Sequence, residues 1–273
     1  MLIEQQVTLM CTGWSGFPAR SAATIGGLSD VRPQPAFASS GWPTWARGGY
    51  WAPDLEHVGG QYLLYFAARR SDNRHCIGVA VSYRPDGGFV DTGAPLIDDE
   101  PDGAIDPALL SVDGQLYLLY KRDGNSVGQP TAILGRSLSP DGLQVTGPPV
   151  ELLHGRGILE APAPVYLGGT TYLIFSKGVY STPGYSEYEA IRTGDPLGPF
   201  TRVSAGPLLT GEGRWVGTGG GSVIVDAGQL MLAYNAFARR ANQLRRLLFI
   251  RPLALTNRLL LPVGVPVAIP LLG

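Results

Sequence analysis

Ile105-Asp106-Pro107-Ala108-Leu109-Leu110-Ser111-Val112-Asp113-Gly114-Gln115-Leu116-Tyr117-Leu118-Leu119-Tyr120 reads as a short strand, a tight Asp-Gly turn and a second strand ending in an aromatic residue. Two further segments have the same shape. Trp51-Ala52-Pro53-Asp54 runs into Gly59-Gly60-Gln61-Tyr62-Leu63-Leu64-Tyr65, and Leu159-Glu160-Ala161-Pro162 runs into Gly168-Gly169 and Tyr172-Leu173-Ile174-Phe175. Pro53, Pro107 and Pro162 each precede the second turn residue (Gly60, Gly114, Gly169) by seven positions, and they stand 54 and 55 residues apart. Strand units at a fixed period of this size indicate propeller blades, because one unit cannot bury its faces alone and must stack on the next.

The same ruler extends in both directions. Gly219-Gly220-Gly221-Ser222-Val223-Ile224-Val225-Asp226-Ala227-Gly228-Gln229 leads into Leu230-Met231-Leu232-Ala233-Tyr234, with Gly221 where the other copies carry proline. Upstream, Gln6-Val7-Thr8-Leu9-Met10 matches Gln61-Tyr62-Leu63-Leu64-Tyr65 at a distance of 55 residues. Third strands are expected at Ile77–Ser82, Thr131–Ser137, Tyr188–Arg192 and Arg246–Ile250, and outer strands at Phe89–Thr92 and Phe200–Val203. No stretch has a sustained helical period. The expected fold is all-β: a single-domain, five-bladed β-propeller over residues 1–273 with an incomplete first blade, whose opening strand lies before Met1.

Composition agrees. Glycine (38) and proline (23) suit many turns between short strands, and 44% apolar residues suffice for a large core. A net charge of -1 gives no electrostatic case for nucleic acid or an anionic membrane. Cys11 and Cys76 are too few for a disulfide framework and read as ordinary buried thiols, and His57, His75 and His154 are scattered, without zinc spacing. The N-terminus lacks a signal-peptide pattern, so localisation stays unknown. The apolar segment from Leu247 is broken by Pro252, Pro262, Pro266 and Pro270 and by Arg251 and Arg258, and reads as closing strands rather than a membrane span. The composition points to a neutral small molecule or polymer as partner, or to none, and the chain is expected to be a monomer.

In order, Tyr50-Trp51-Ala52-Pro53-Asp54, Ile105-Asp106-Pro107, Glu160-Ala161-Pro162, Phe175-Ser176-Lys177-Gly178-Val179-Tyr180, Tyr188-Glu189-Ala190 and Gly198-Pro199-Phe200 resemble glycoside hydrolase family 43. Thr12-Gly13-Trp14-Ser15-Gly16-Phe17-Pro18 resembles the end of that family's first hairpin. The resemblance covers nearly the whole chain. It implies a propeller that hydrolyses O-glycosidic bonds of arabinose- or xylose-containing glycans, oligo- or polysaccharides, by an inverting acid/base mechanism. Such chemistry needs two carboxyl groups flanking the bond, one to protonate the leaving oxygen and one to activate water.

The resemblance assigns Glu160 as general acid and Asp106 as the neighbour that raises and orients it. Asp54, out of phase with them, is read either as a sugar contact or as a structural hydrogen-bonding group. Trp51 and Tyr50 are read either as an aromatic wall for a sugar ring or as blade packing. Arg246 matches a sugar-reaching arginine of the family, with Arg245 the competing candidate, since only one of two neighbours on a strand faces inward. A surface charge is the remaining reading of either.

Two departures stand out. Gly220 occupies the place of a family histidine that often holds a water or metal, and Tyr234-Asn235 stands for a Tyr-His, so no central metal ion is expected. The family's base is an Asp-Pro on the first strand of blade one, which the ruler places just upstream of Met1. Neither Glu4, in the hairpin turn, nor Asp30, later in blade one, falls there. An upstream reading frame is therefore expected to contain an Asp-Pro. The alternative function is a non-catalytic carbohydrate-binding propeller derived from such an enzyme. A scaffold for protein partners is disfavoured by the absence of the Trp-Asp repeat signature.

Overall fold

The turns decide the blades. Gly59-Gly60, Asp113-Gly114 and Gly168-Gly169 all have positive φ at both positions (58° and 82°, 49° and 81°, 54° and 80°). This is the turn whose twist matches that of the two strands it joins. The computed structural model describes residues 2–3, 6–13, 16–226, 228–238 and 246–269, and in it each turn closes an antiparallel hairpin.

Five antiparallel meanders follow in chain order. Blade one comprises Leu2–Ile3, Gln6–Met10, Pro18–Ala22 and Gln34–Pro35, and blade two Trp51–Val58, Gln61–Arg69, His75–Ser82 and Val90–Asp91. Blade three comprises Ala104–Val112, Gln115–Arg122, Ala132–Ser137 and Val150–His154, and blade four Leu159–Leu167, Thr170–Lys177, Ser186–Thr193 and Thr201–Arg202. Blade five comprises Trp215–Asp226, Gln229–Ala238, Arg246–Thr256 and Leu259–Pro262, and Val267–Ile269 pairs beside its third strand. The apolar C-terminal segment thus forms closing strands. The first strand of blade one is described only as Leu2–Ile3, the end that enters the hairpin.

Five clusters of buried side chains fill the five seams between blades. In the second strand of blade two, Leu63 and Tyr65 face blade three, while Tyr62, Leu64, Phe66 and Ala68 face blade one. The period-2 geometry sends alternate side chains into opposite seams, so a strand buried on both sides is apolar without interruption. Val7, Leu28, Met231, Leu248, Ile250 and Ile269 close the ring between the last blade and the first. Cys76 is buried and Cys11 half-buried, and both are free thiols.

Each inner strand described in full carries a β-bulge near its start. The pairing register jumps between Trp51 and Asp54, Ile105 and Ala108, Glu160 and Ala163, and Gly219 and Ser222. Two residues there oppose one on the second strand, and such an insertion re-aims the side chains around it. The first of those two residues is left-handed in every case: Ala52 at φ 49°, Asp106 at 55°, Ala161 at 51° and Gly220 at 69°. Non-glycine residues in this region are strained, and such strain clusters at functional positions.

Candidate active site

The bulges set the phase of the residues at the start of each inner strand. Aligning the four places Trp51, Ile105, Glu160 and Gly219 at the first position, and Ala52, Asp106, Ala161 and Gly220 at the second. Glu160 and Asp106 therefore sit at successive positions, not at the same offset. That difference lets their side chains converge across one seam.

Two ties cross the seam between blades three and four. The backbone N–H of Ala161 donates to Asp106 Oδ2 at 2.9 Å, and Lys121 Nζ donates to Glu160 Oε2 at 2.9 Å. Glu160 Oε1 accepts from the Tyr185 hydroxyl at 2.8 Å. Lys121 also pairs with Asp123 Oδ1 at 3.1 Å. Removal of the Asp106 carboxyl from water, and then the charge of Glu160, push its pKa up to about 7, against the opposing pull of Lys121 and the Ala161 N–H. The Asp106 carboxyl thus holds a proton close to neutrality beside Glu160. Burial, and then the charge of Glu160, hold the Tyr185 phenol well above its usual range, so it acts as a neutral donor.

A second polar group lies on the blade-five side. Ser176, directly across the strand pair from Glu160, donates to Glu187 Oε2 at 3.1 Å and accepts the N–H of Gly220 at 2.8 Å. Glu187 is fully buried, and desolvation pushes it up to about 8. Arg246 Nη2 donates to Gly219 O at 3.3 Å, and its guanidinium carbon lies 5.7 Å from the Tyr185 ring and 5.9 Å from that of Tyr180. The exposed Tyr180 ring thus borders the same corner. A cation suits this corner poorly. Gly220 offers no side chain, and the groups nearest where its Cβ would stand are the Asn235 amide nitrogen and the Arg246 guanidinium. Among the described residues, no group of three or more His, Cys, Asp or Glu side chains is arranged to hold a metal ion.

The remaining expected residues divide. Trp51, in the position that Glu160 holds in blade four, is 37% exposed and stacks on His75 with ring centroids 4.0 Å apart. Burial, and then Arg69, lower the pKa of His75, so a neutral imidazole backs the indole. Tyr50 instead packs in the seam between blades one and two, its ring 5.2 Å from Trp42 and 6.1 Å from Phe17. Asp54 lies two residues beyond the left-handed corner and accepts the N–H of Leu109 at 2.8 Å, a blade-to-blade tie. Asp30 is exposed at the end of a 3-10 turn in blade one, whereas Glu4 and Arg245 lie outside the described residues. Lys121, Asp123, Tyr185, Ser176 and Glu187 were not singled out from the sequence. Lys121 carried one signal, a lysine directly after the apolar run Leu116–Tyr120 where burial is expected.

The sequence pattern of the family described as glycosyl hydrolases family 43 matches residues 6–257. An extracellular exo-α-(1→5)-L-arabinofuranosidase of Cellvibrio japonicus is 28% identical over 250 residues, which cover 75% of this chain and 69% of that protein. An extracellular endo-α-(1→5)-L-arabinanase of Bacillus subtilis is 28% identical over 208 residues, which cover 68% of this chain and 61% of that protein. A solved thermostable family-43 glycoside hydrolase superposes with a TM-score of 0.85 at 23% identity, covering 97% of this chain and 91% of its own, a likeness of fold.

Proposed function

The chain belongs to glycosyl hydrolase family 43, and from that membership we propose that it hydrolyses O-glycosidic bonds of arabinose- or xylose-containing glycans at the funnel. Glu160 is the general acid that protonates the leaving oxygen. Asp106 is the modulator of that acid, a neighbouring carboxyl that also fixes the Glu160–Ala161 backbone. The observation that carries this reading is the convergence of these two carboxyls through the Ala161 N–H and Lys121. Trp51 supplies an aromatic plane for a sugar face, and Arg246 supplies donors for hydroxyls. In the inverting reaction a second carboxylate activates water. No base is assigned among the described residues.

Arabinan linkages are the first substrates to test, given the relatives. The assay uses para-nitrophenyl arabinofuranoside and xyloside alongside arabino-oligosaccharides, each with and without azide as an external nucleophile. Glu160→Gln is expected to slow oligosaccharide cleavage by about 10²- to 10⁴-fold, the usual contribution of a positioned acid. The nitrophenyl substrates are affected less, because their leaving group needs little protonation. An undiminished oligosaccharide rate in Glu160→Gln rejects the acid assignment. Calorimetric binding of oligosaccharide with no cleavage, even with azide, supports the binding-module alternative.

A further inference from the structure

Lys121 lies at the end of the second strand of blade three with only 1% of its side chain exposed. A buried ammonium is costly unless carboxylates compensate it, and removing such a partner leaves an uncompensated charge. Its partners come from both sides of the seam: Glu160 of blade four at 2.9 Å and Asp123, just beyond its own strand, at 3.1 Å. The strand pairing sets Lys121 opposite Ile105, the residue before Asp106. One ammonium is therefore bonded to two carboxylates, and its charge also acts on Asp106.

We propose that Lys121 is the positioning residue of the carboxyl pair, an ammonium divided between Glu160 and Asp123 that aims Glu160 into the funnel and sets how the pair shares its proton. The inference deepens the hydrolase reading and rests on it only for its consequence in turnover. Geometry supports the aiming role. Glu160 Oε2 is held by Lys121 and Oε1 by the Tyr185 hydroxyl, so the carboxyl plane is fixed from two sides. Tyr185 is itself locked by close approach to Gly219, since a Cβ there would stand 2.0 Å from its ring. Charge supports the second role. Around the pair are Asp123 and Lys121 from blade three and Glu187 and neutral Tyr185 from blade four; Arg246 of blade five acts on Tyr185 and Glu187, and His75 of blade two, kept neutral, acts on Lys121 and Asp123. Of these cations, Lys121 is the one bonded to a carboxyl of the pair. Asp123 competes for it, so the strength of its hold on Glu160 depends on Asp123.

Because the roles of Lys121 and Asp123 are opposed, their variants separate this inference from a structural effect. The readout is the titration midpoint of the Asp106 carboxyl carbon, followed by NMR in the isotopically labelled full chain. Its native value is expected near about 7. Lys121→Met is expected to raise the midpoint by about 1–3 pH units, the usual effect of losing an opposite charge at this range. Asp123→Asn, which frees the ammonium for Glu160, is expected to lower it. In turnover, Lys121→Met should reduce kcat with KM little changed, since the buried ammonium cannot touch a sugar. An unmoved midpoint in folded Lys121→Met overturns the inference. So does a shift of the same sign in both variants. If Lys121→Met fails to fold, Asp123→Asn decides alone: a lowered midpoint supports the inference, and an unmoved or raised one rejects it. Midpoints that move as stated in a chain without turnover uphold the positioning role while sinking the hydrolase reading.

Discussion

A single-residue offset shapes the chemistry of the funnel. Glu160 and Trp51 each stand just before the bulge of their blades, whereas Asp106 is the first of the two bulge residues in its own. Trp51 therefore presents its ring where another blade presents its acid. Tyr50, its neighbour, points into the seam. The two aromatics should part company on substitution. Trp51→Ala is expected to weaken oligosaccharide binding by about 0.5–1.5 kcal/mol, the worth of an aromatic contact beyond its area, with little change in melting temperature. Tyr50→Ala should cost stability of about 2 kcal/mol or more, the scale of aromatic truncation in a packed cluster, with binding largely kept. Calorimetry and urea melts of both variants check this, and an unaltered oligosaccharide affinity in Trp51→Ala removes the platform role. Spacing from the prolines was enough to place Glu160, Asp106 and Trp51 near the starts of their inner strands. It was not enough for Lys121, Asp123 and Tyr185, whose part depends on the direction of a side chain across a seam between blades.

The bulge is also what the second strands are built to support. The residues opposite the four bulges are Phe66, Tyr120, Phe175 and Tyr234, all buried. The regular aromatic ending visible in the sequence is thus the backing of the bulge, and in blade two the residue concerned is Phe66 rather than Tyr65. Tyr120 is anchored further, donating to Glu100 Oε1 at 2.6 Å and accepting from Arg136 at 3.1 Å. Strands and turns were legible because alternation and Gly-containing turns are local signals. The bulge was not, since an extra residue in one strand shows only once its partner's register is known. Phe175 lies beneath Ala161 and Pro162, next to Glu160, and is 0% exposed. Phe175→Ala should cost about 3–5 kcal/mol in urea unfolding through the cavity it leaves. Under conditions where the variant is fully folded, its turnover should also fall. Full turnover in the folded variant means that the aromatic supports stability alone.

The ring holds Glu187 and Glu189 buried and Asp54 and Asp106 partly buried. Desolvation raises Asp54 and Glu189 to about 6, Asp106 to about 7 and Glu187 to about 8, from ordinary values of 3.8 for Asp and 4.5 for Glu. Unfolding releases these groups to ionise at their ordinary values. Between about pH 4 and about pH 8 the folded chain therefore binds more protons than the unfolded one. Stability must then fall as pH rises through that window, the reverse of a protein held together by ionised carboxylates. Seams of apolar side chains supply the counterweight, and they do not titrate. The melting temperature is expected to be highest in weakly acidic solution and to decline steadily toward pH 8. Glu187→Gln isolates one contributor. Its amide oxygen can still accept from Ser176, and it carries no proton to lose, so its melting curve should depend less on pH and exceed the native one most at pH 8. Calorimetric melts across the window test both expectations. A native melting temperature that holds or rises toward pH 8 would show that the buried acids are ionised in the folded ring. In that event Asp106 holds no proton near neutrality.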